Sequence, residues 1–200
     1  MKRFLIKLTA VMLTLMLAVI PLSSCKKPDV YYVKLTICDL GEIVLQLDRL
    51  SAPETVDNFV ELVEDGFYDG LTFHRVIKNF MIQGGDPKAD GTGGSDKEIY
   101  GEFFSNGYYG NSISHVRGVI SMARSNDPNS ASSQFFICNA DATHLDGSYA
   151  AFGYVIEGMD VVDLITSTSL PYATGKSGAI PNKANQVVIE KAEVLKDYGK

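Results

Sequence analysis

Two runs of strict alternation open the folded part of the chain. Tyr31, Val33, Leu35 and Ile37 put apolar side chains on one face, and Ile43, Leu45 and Leu47 repeat the pattern after Asp39-Leu40-Gly41. Period two marks half-buried strands, and the Asp and Gly between the runs predict a hairpin turn. The period then changes. Val56, Phe59, Val60 and Val63 fall at helical spacing, preceded by Ser51-Ala52-Pro53-Glu54 and followed by Gly66. The first four residues have the form of a capping box and Gly66 that of a helix stop, so a helix of about four turns is predicted between them.

From Leu71 onward the chain returns to short apolar runs separated by glycine-rich loops. Thr72 to Ile82, Val119 to Ala123, Gln134 to Cys138 and Ala151 to Val155 are the predicted strands. A short helix follows Gly158 with Val161, Leu164 and Ile165 directed inward, Leu170 to Asn185 reads as loop, and Val187 to Leu195 closes as a strand. Many short antiparallel strands with two helices predict a mainly β fold, a closed barrel capped by helices. No internal repeat is visible.

The first 24 residues follow a different pattern. Lys2, Arg3 and Lys7 precede a stretch without charge that runs to Pro21-Leu22-Ser23-Ser24-Cys25. The apolar part has signal-peptide length and falls short of the ~20 residues that span a bilayer. Leu, two small residues and Cys resemble a bacterial lipobox, in which cleavage precedes the cysteine and its sulfur receives the lipid. The alternative is a plain secretory signal with a coincidental cysteine. The expected organisation is a signal peptide over residues 1–24, a lipidated tether over 25–30 anchored at Cys25, and one domain over 31–198.

Two hundred residues, 46% hydrophobic and 21% charged, make an ordinary globular domain with a substantial core. Loss of the three signal cations takes the net charge from −6 to −9. With no basic block, nucleic acid is not an expected partner. Beyond Cys25 there are Cys38 and Cys138, each in a strand-like run and read as buried free thiols rather than a disulfide. His74, His115 and His144 have no zinc-like spacing to them. Gly91-Thr92-Gly93-Gly94 lacks the last glycine of a dinucleotide loop, and Gly175-Lys176-Ser177 lacks the first glycine of a phosphate loop. Hydrolase motifs are absent.

One segment carries more chemistry than the rest. Phe73-His74-Arg75-Val76-Ile77, then Phe80-Met81-Ile82-Gln83-Gly84-Gly85-Asp86, sets an arginine and a glutamine among aromatic and thioether side chains. Such a surface suits an apolar ligand with one strongly polar bond. Together with Ser132-Ser133-Gln134-Phe135-Phe136-Ile137, Leu145-Asp146-Gly147 and Phe152-Gly153, it resembles the cyclophilins, a family of peptidyl-prolyl cis–trans isomerases. The resemblance covers roughly Val33 to Val194.

The resemblance implies an eight-stranded antiparallel barrel capped by two helices, with the site on its outer face. It implies Arg75 as the catalytic arginine, Phe80, Met81 and Leu145 as walls of a proline pocket, and Phe136 as its floor. Gln83 and Gln134 would hold the peptide and the arginine, and Ala123 would offer a backbone contact. Phe135 must face opposite to Phe136, and His74 opposite to Arg75, as a satisfied core histidine. No cofactor, nucleophile or metal is required. Three further positions expected to bind substrate, Arg124, His144 and Tyr149, depart from the commoner pattern. His144 replaces a tryptophan associated with binding cyclosporin, Tyr149 stands for a histidine, and Arg124 for an asparagine, where its charge would favour acidic substrates. The expected function is isomerisation of X–Pro bonds in exported proteins, by a monomer tethered outside the cytoplasm. The alternative is a module that binds proline-containing segments with little turnover.

Overall fold

The computed structural model describes residues 27–196 and 198. The segment expected to be a signal peptide, and Cys25, lie outside the described residues. Eight antiparallel strands close into a barrel: β1 (Val30–Ile37), β2 (Gly41–Asp48), β3 (Thr72–Ile77), β4 (Met81–Gly84), β5 (Val119–Met122), β6 (Phe135–Cys138), β7 (Ala151–Glu157) and β8 (Val187–Val194). Around the barrel the order is β1-β2-β7-β5-β6-β4-β3-β8. Closure leaves no free sheet edge. Two helices pack on it, α1 (Pro53–Glu64) and α2 (Met159–Ser169).

The alternating residues of β1 and β2 point as their period requires. Val33, Leu35, Ile37, Ile43, Leu45 and Leu47 are all buried in one core, which also takes Val56, Phe59 and Val63 of α1 and Val161, Val162 and Ile165 of α2. Phe59 projects from α1 into an aromatic cluster, 5.6 Å from Phe135 edge-to-face and 4.9 Å from Tyr68. Offset and T-shaped geometries of this kind add to plain area burial.

Five local expectations are corrected. Thr72 to Ile82 is not one strand but the hairpin β3–β4. Asn79 turns the chain at φ 58, a left-handed conformation that asparagine tolerates, and this split supplies the eighth strand. The capping box does not form. Ser51 Oγ donates to Asp48, and the first free N–H groups of α1, on Glu54 and Thr55, donate instead to the carboxylate of Glu102 at 3.0 and 2.8 Å. Leu164 faces outward on α2, its inward place taken by Val162. Cys38 is exposed where the strand ends, while Cys138 is buried. His74 is buried as expected but not satisfied, since neither ring nitrogen has a hydrogen-bond partner among the described residues.

Candidate active site

Strand register builds the site. Arg75 on β3 pairs with Gln83 on β4, Gln83 pairs with Phe136 on β6, and Phe136 pairs with Ser121 on β5. Paired residues share a face, so these four form one row across adjacent strands. The neighbours that alternate with them, Ile82, Phe135, Ile137 and Ile120, fill the core. The row therefore lies on the outer face. Met81 and Phe136 join Cys138 and Ala142 in a second apolar cluster there, flanked by Phe80, Ala123, Leu145 and Tyr149. Just past Gln83, Gly85 adopts φ 83, and a Cβ there would come within 2.5 Å of the Ser133 carbonyl. Only glycine allows β4 and the chain before β6 to approach so closely.

Hydrogen bonds fix the arginine. Its Nε donates to the Ser177 carbonyl at 2.7 Å, and Nη1 donates to Gln83 Oε1 at 2.9 Å. Gln83 Nε2 then donates to Gln134 Oε1 at 2.9 Å, and Gln134 Nε2 to the Gly93 carbonyl at 2.7 Å. The direction of the relay is forced, because guanidinium only donates and each amide must accept on one side and donate on the other. Nη2 has no protein partner among the described residues, so two N–H groups, and one more on Nη1, remain available. Partial burial lowers the Arg75 pKa from its ordinary value, but a guanidinium starts so far above neutrality that the group stays charged at neutral pH.

Beside the guanidinium opens a cavity of about 200 Å³. Drug-sized ligands usually occupy ~300–1,000 Å³, so this space fits a single side chain better. Phe136 and Met81 form its bottom, Phe80, Leu145 and Tyr149 its sides, and Arg75 with Gln83 its polar edge. Ala123 and Arg124 complete it. Of the residues expected at the site, Gln134 and His144 do not line this cavity. Gln134 stands behind Gln83 and lines an adjoining, more polar groove of about 360 Å³. His144 is exposed and lies against the Phe80 ring, 5.5 Å between centroids.

Arg124 is committed to its surroundings. Nε and Nη2 donate to the Ser148 carbonyl at 3.2 and 2.9 Å, and Nη1 to the Ser125 carbonyl at 2.8 Å. Its guanidinium carbon lies 4.7 Å from the Tyr149 ring centroid and 5.1 Å from that of Phe103. This cation–π contact holds Tyr149, whose ring meets Phe136 edge-on at 6.0 Å. Arg124 thus supports a wall of the cavity. Sequence reasoning missed Phe103 and Ser177. Ser177 sits 102 positions from Arg75 in a loop with no local signal, and only the fold brings it near.

The model of cyclophilin type peptidyl-prolyl cis-trans isomerases matches residues 32–194. The chain belongs to this family. It is 44% identical over 130 residues to a peptidyl-prolyl cis-trans isomerase of Arabidopsis thaliana, covering 65% of this chain and 79% of the relative. It is 40% identical over 182 residues to human peptidyl-prolyl cis-trans isomerase-like 1, covering 91% of this chain and 98% of the relative. Among solved structures, a Cryptosporidium parvum cyclophilin type isomerase superposes with TM-score 0.70 at 26% identity, covering 84% of this chain and 99% of that one. As a cyclophilin, the chain is a peptidyl-prolyl isomerase with a barrel of the family's form.

Proposed function

We propose that this cyclophilin binds the proline of an X–Pro segment in the 200 Å³ cavity and rotates the preceding amide against Arg75, acting as a monomer on exported proteins outside the cytoplasm. The observation that carries the catalytic part is the arginine itself. It is held by Ser177 and Gln83 at the mouth of an apolar cavity, with N–H groups to spare.

Amide resonance sets a rotation barrier of ~18–20 kcal/mol. The two X–Pro isomers differ by only about 0.5–1 kcal/mol, so the task is to lower a barrier without making or breaking bonds. In the twisted transition state the prolyl nitrogen becomes pyramidal and gains a lone pair. A fixed guanidinium donates to that lone pair and has no equivalent partner in the planar ground state, which is differential binding. Phe136 and Met81 grip the pyrrolidine ring while the preceding carbonyl swings. Gln83 and Gln134 keep the arginine from turning away. Accelerated cis–trans exchange of an Ala-Pro peptide, read by NMR, tests this reading. Binding of the peptide with no change in exchange rate would favour a proline-binding module instead.

The site of action rests on the sequence. A lipobox ending at Cys25 and an acidic body support a protein held at a membrane by its lipid, since two acyl chains anchor stably. Uncatalysed X–Pro isomerisation takes tens to hundreds of seconds, long enough to limit folding after export. Cys25→Ala is expected to move the protein from the membrane to the soluble fraction in its bacterial host. Unchanged membrane retention would remove the lipid anchor from this proposal. The sequence suggested that Arg124 would draw acidic substrates, but its engagement with Ser148, Ser125 and two rings supports a role in holding Tyr149.

A further inference from the structure

Directly behind the cavity floor lies a second polar chain. His115 is fully buried, its ring nearly parallel to Phe136 with centroids 6.0 Å apart. Its Nδ1 is 2.9 Å from Asp146 Oδ1, and its Nε2 is 3.0 Å from Ser121 Oγ. Asp146 also accepts from the His115 backbone N–H at 2.7 Å and from the Ser114 hydroxyl at 2.6 Å. Ser121 is the register partner of Phe136, and Asp146 directly follows the wall residue Leu145. One imidazole therefore joins the strand beside the floor to the loop that carries a wall.

Hydroxyl, imidazole and carboxylate are also the parts of a hydrolytic triad. Here Ser121 is fully buried, so no substrate carbonyl reaches its oxygen, and nucleophilic chemistry is excluded. What remains is positional. The carboxylate can only accept, so Nδ1 carries the hydrogen, and Nε2 accepts from the Ser121 hydroxyl. A second proton would turn Nε2 into a donor facing that hydroxyl, and Ser121 would have to redirect its own O–H.

We propose that His115, braced between Asp146 and Ser121, is a positioning residue that holds Phe136 and Leu145 in place for substrate, and that its protonation loosens the pocket. The inference rests on reading the cavity as the proline site. Burial keeps the His115 pKa below its ordinary value, Asp146 acts against this, and His144 acts with it. On β6, the buried Cys138 thiol is pushed up to about 12 and stays neutral. The second proton therefore arrives below the ordinary histidine value of ~6.5.

The test is the pH dependence of kcat and KM for proline-peptide isomerisation by the full chain. For wild type, KM is expected to rise about fivefold as the pH falls from neutral through the His115 titration, with kcat nearly constant, because floor and walls grip ground and transition states alike. His74 is a second buried histidine, next to Arg75, so variants must assign the acid limb. His115→Gln and His115→Asn keep a donor and an acceptor on a group that does not titrate. Each is expected to raise KM at neutral pH by about threefold and to remove the acid limb. Asp146→Asn removes the charge that favours the second proton and is expected to shift the limb to lower pH. The NMR titration of the His115 ring proton should share the midpoint of the limb. A limb that survives both His115 variants, or that ignores Asp146→Asn, overturns the proposal. Should the His115 variants fail to fold, Asp146→Asn and the ring titration still decide it. If wild type shows no isomerase activity at neutral pH, the reading of the cavity fails instead.

Discussion

Arg75→Ala is expected to lower kcat by about 10²- to 10³-fold, the usual cost of removing one preorganised donor from a developing charge. KM should move little, because Phe136, Met81 and the other cavity walls remain to hold the ring. That split matters, since an interaction made only in the transition state lowers kcat, whereas a lost ground-state contact raises KM. Arg75→Lys is not expected to rescue the rate. An ammonium on a flexible stem lacks the planar fork that bonds Ser177 and Gln83 together and still presents free N–H groups to a substrate. NMR exchange rates and peptide affinity measured on the same samples check both halves of the prediction. Full activity in the alanine variant would refute the arginine mechanism.

How far this site could be read without a structure depends on the distance over which each contact acts. The alternation in β1 and β2 was legible because one period fixes one buried face. The identity of Arg75, Phe80, Met81, Gln83 and Phe136 was legible because they sit in two compact motifs resembling a known family. Their arrangement was not. That Arg75, Gln83, Phe136 and Ser121 form one row follows from register across four strands, which a sequence does not display. The hairpin in Thr72–Ile77 and Met81–Gly84 was read as one strand because the turn uses Asn79, with no glycine or proline to announce it. Leu164 was placed inward by spacing, yet the buried stripe of α2 runs through Val161, Val162 and Ile165 instead. His115 was visible only as a residue without metal-ligand spacing. Its partners lie 31 and 6 positions away, and the fold alone joins them.

The same contrast between local and remote partners yields the largest expected effect on stability. Ser51 and Glu54 have the spacing of a local cap, but Ser51 bonds Asp48, and Glu54 Oε1 accepts from the Tyr100 N–H at 3.3 Å. The cap comes from Glu102, buried and 47 positions away from Thr55. Its carboxylate sits at the helix N-terminus, where negative charge also suits the helix dipole. Glu102→Ala leaves two N–H groups of α1 without their acceptor, and bonds to a charged group contribute about 1.5–3 kcal/mol each, so a loss of about 3–6 kcal/mol is expected. For a domain of this size that is a fall of about 10 °C in Tm. Glu102→Gln keeps one oxygen in reach and should lose about half as much. Ser51→Ala, in contrast, should cost no more than about 1 kcal/mol, because it removes only a partly buried hydroxyl contact with Asp48. Thermal and urea unfolding of the three variants separate the two caps. A Ser51→Ala loss as large as that of Glu102→Ala would restore the local cap and remove the remote one. Phe103, the neighbour of Glu102, packs against Arg124, which in turn holds Tyr149. The carboxylate that starts α1 therefore also anchors the chain behind one wall of the cavity beside Arg75, and Glu102→Ala should raise KM for the peptide as well as lower Tm.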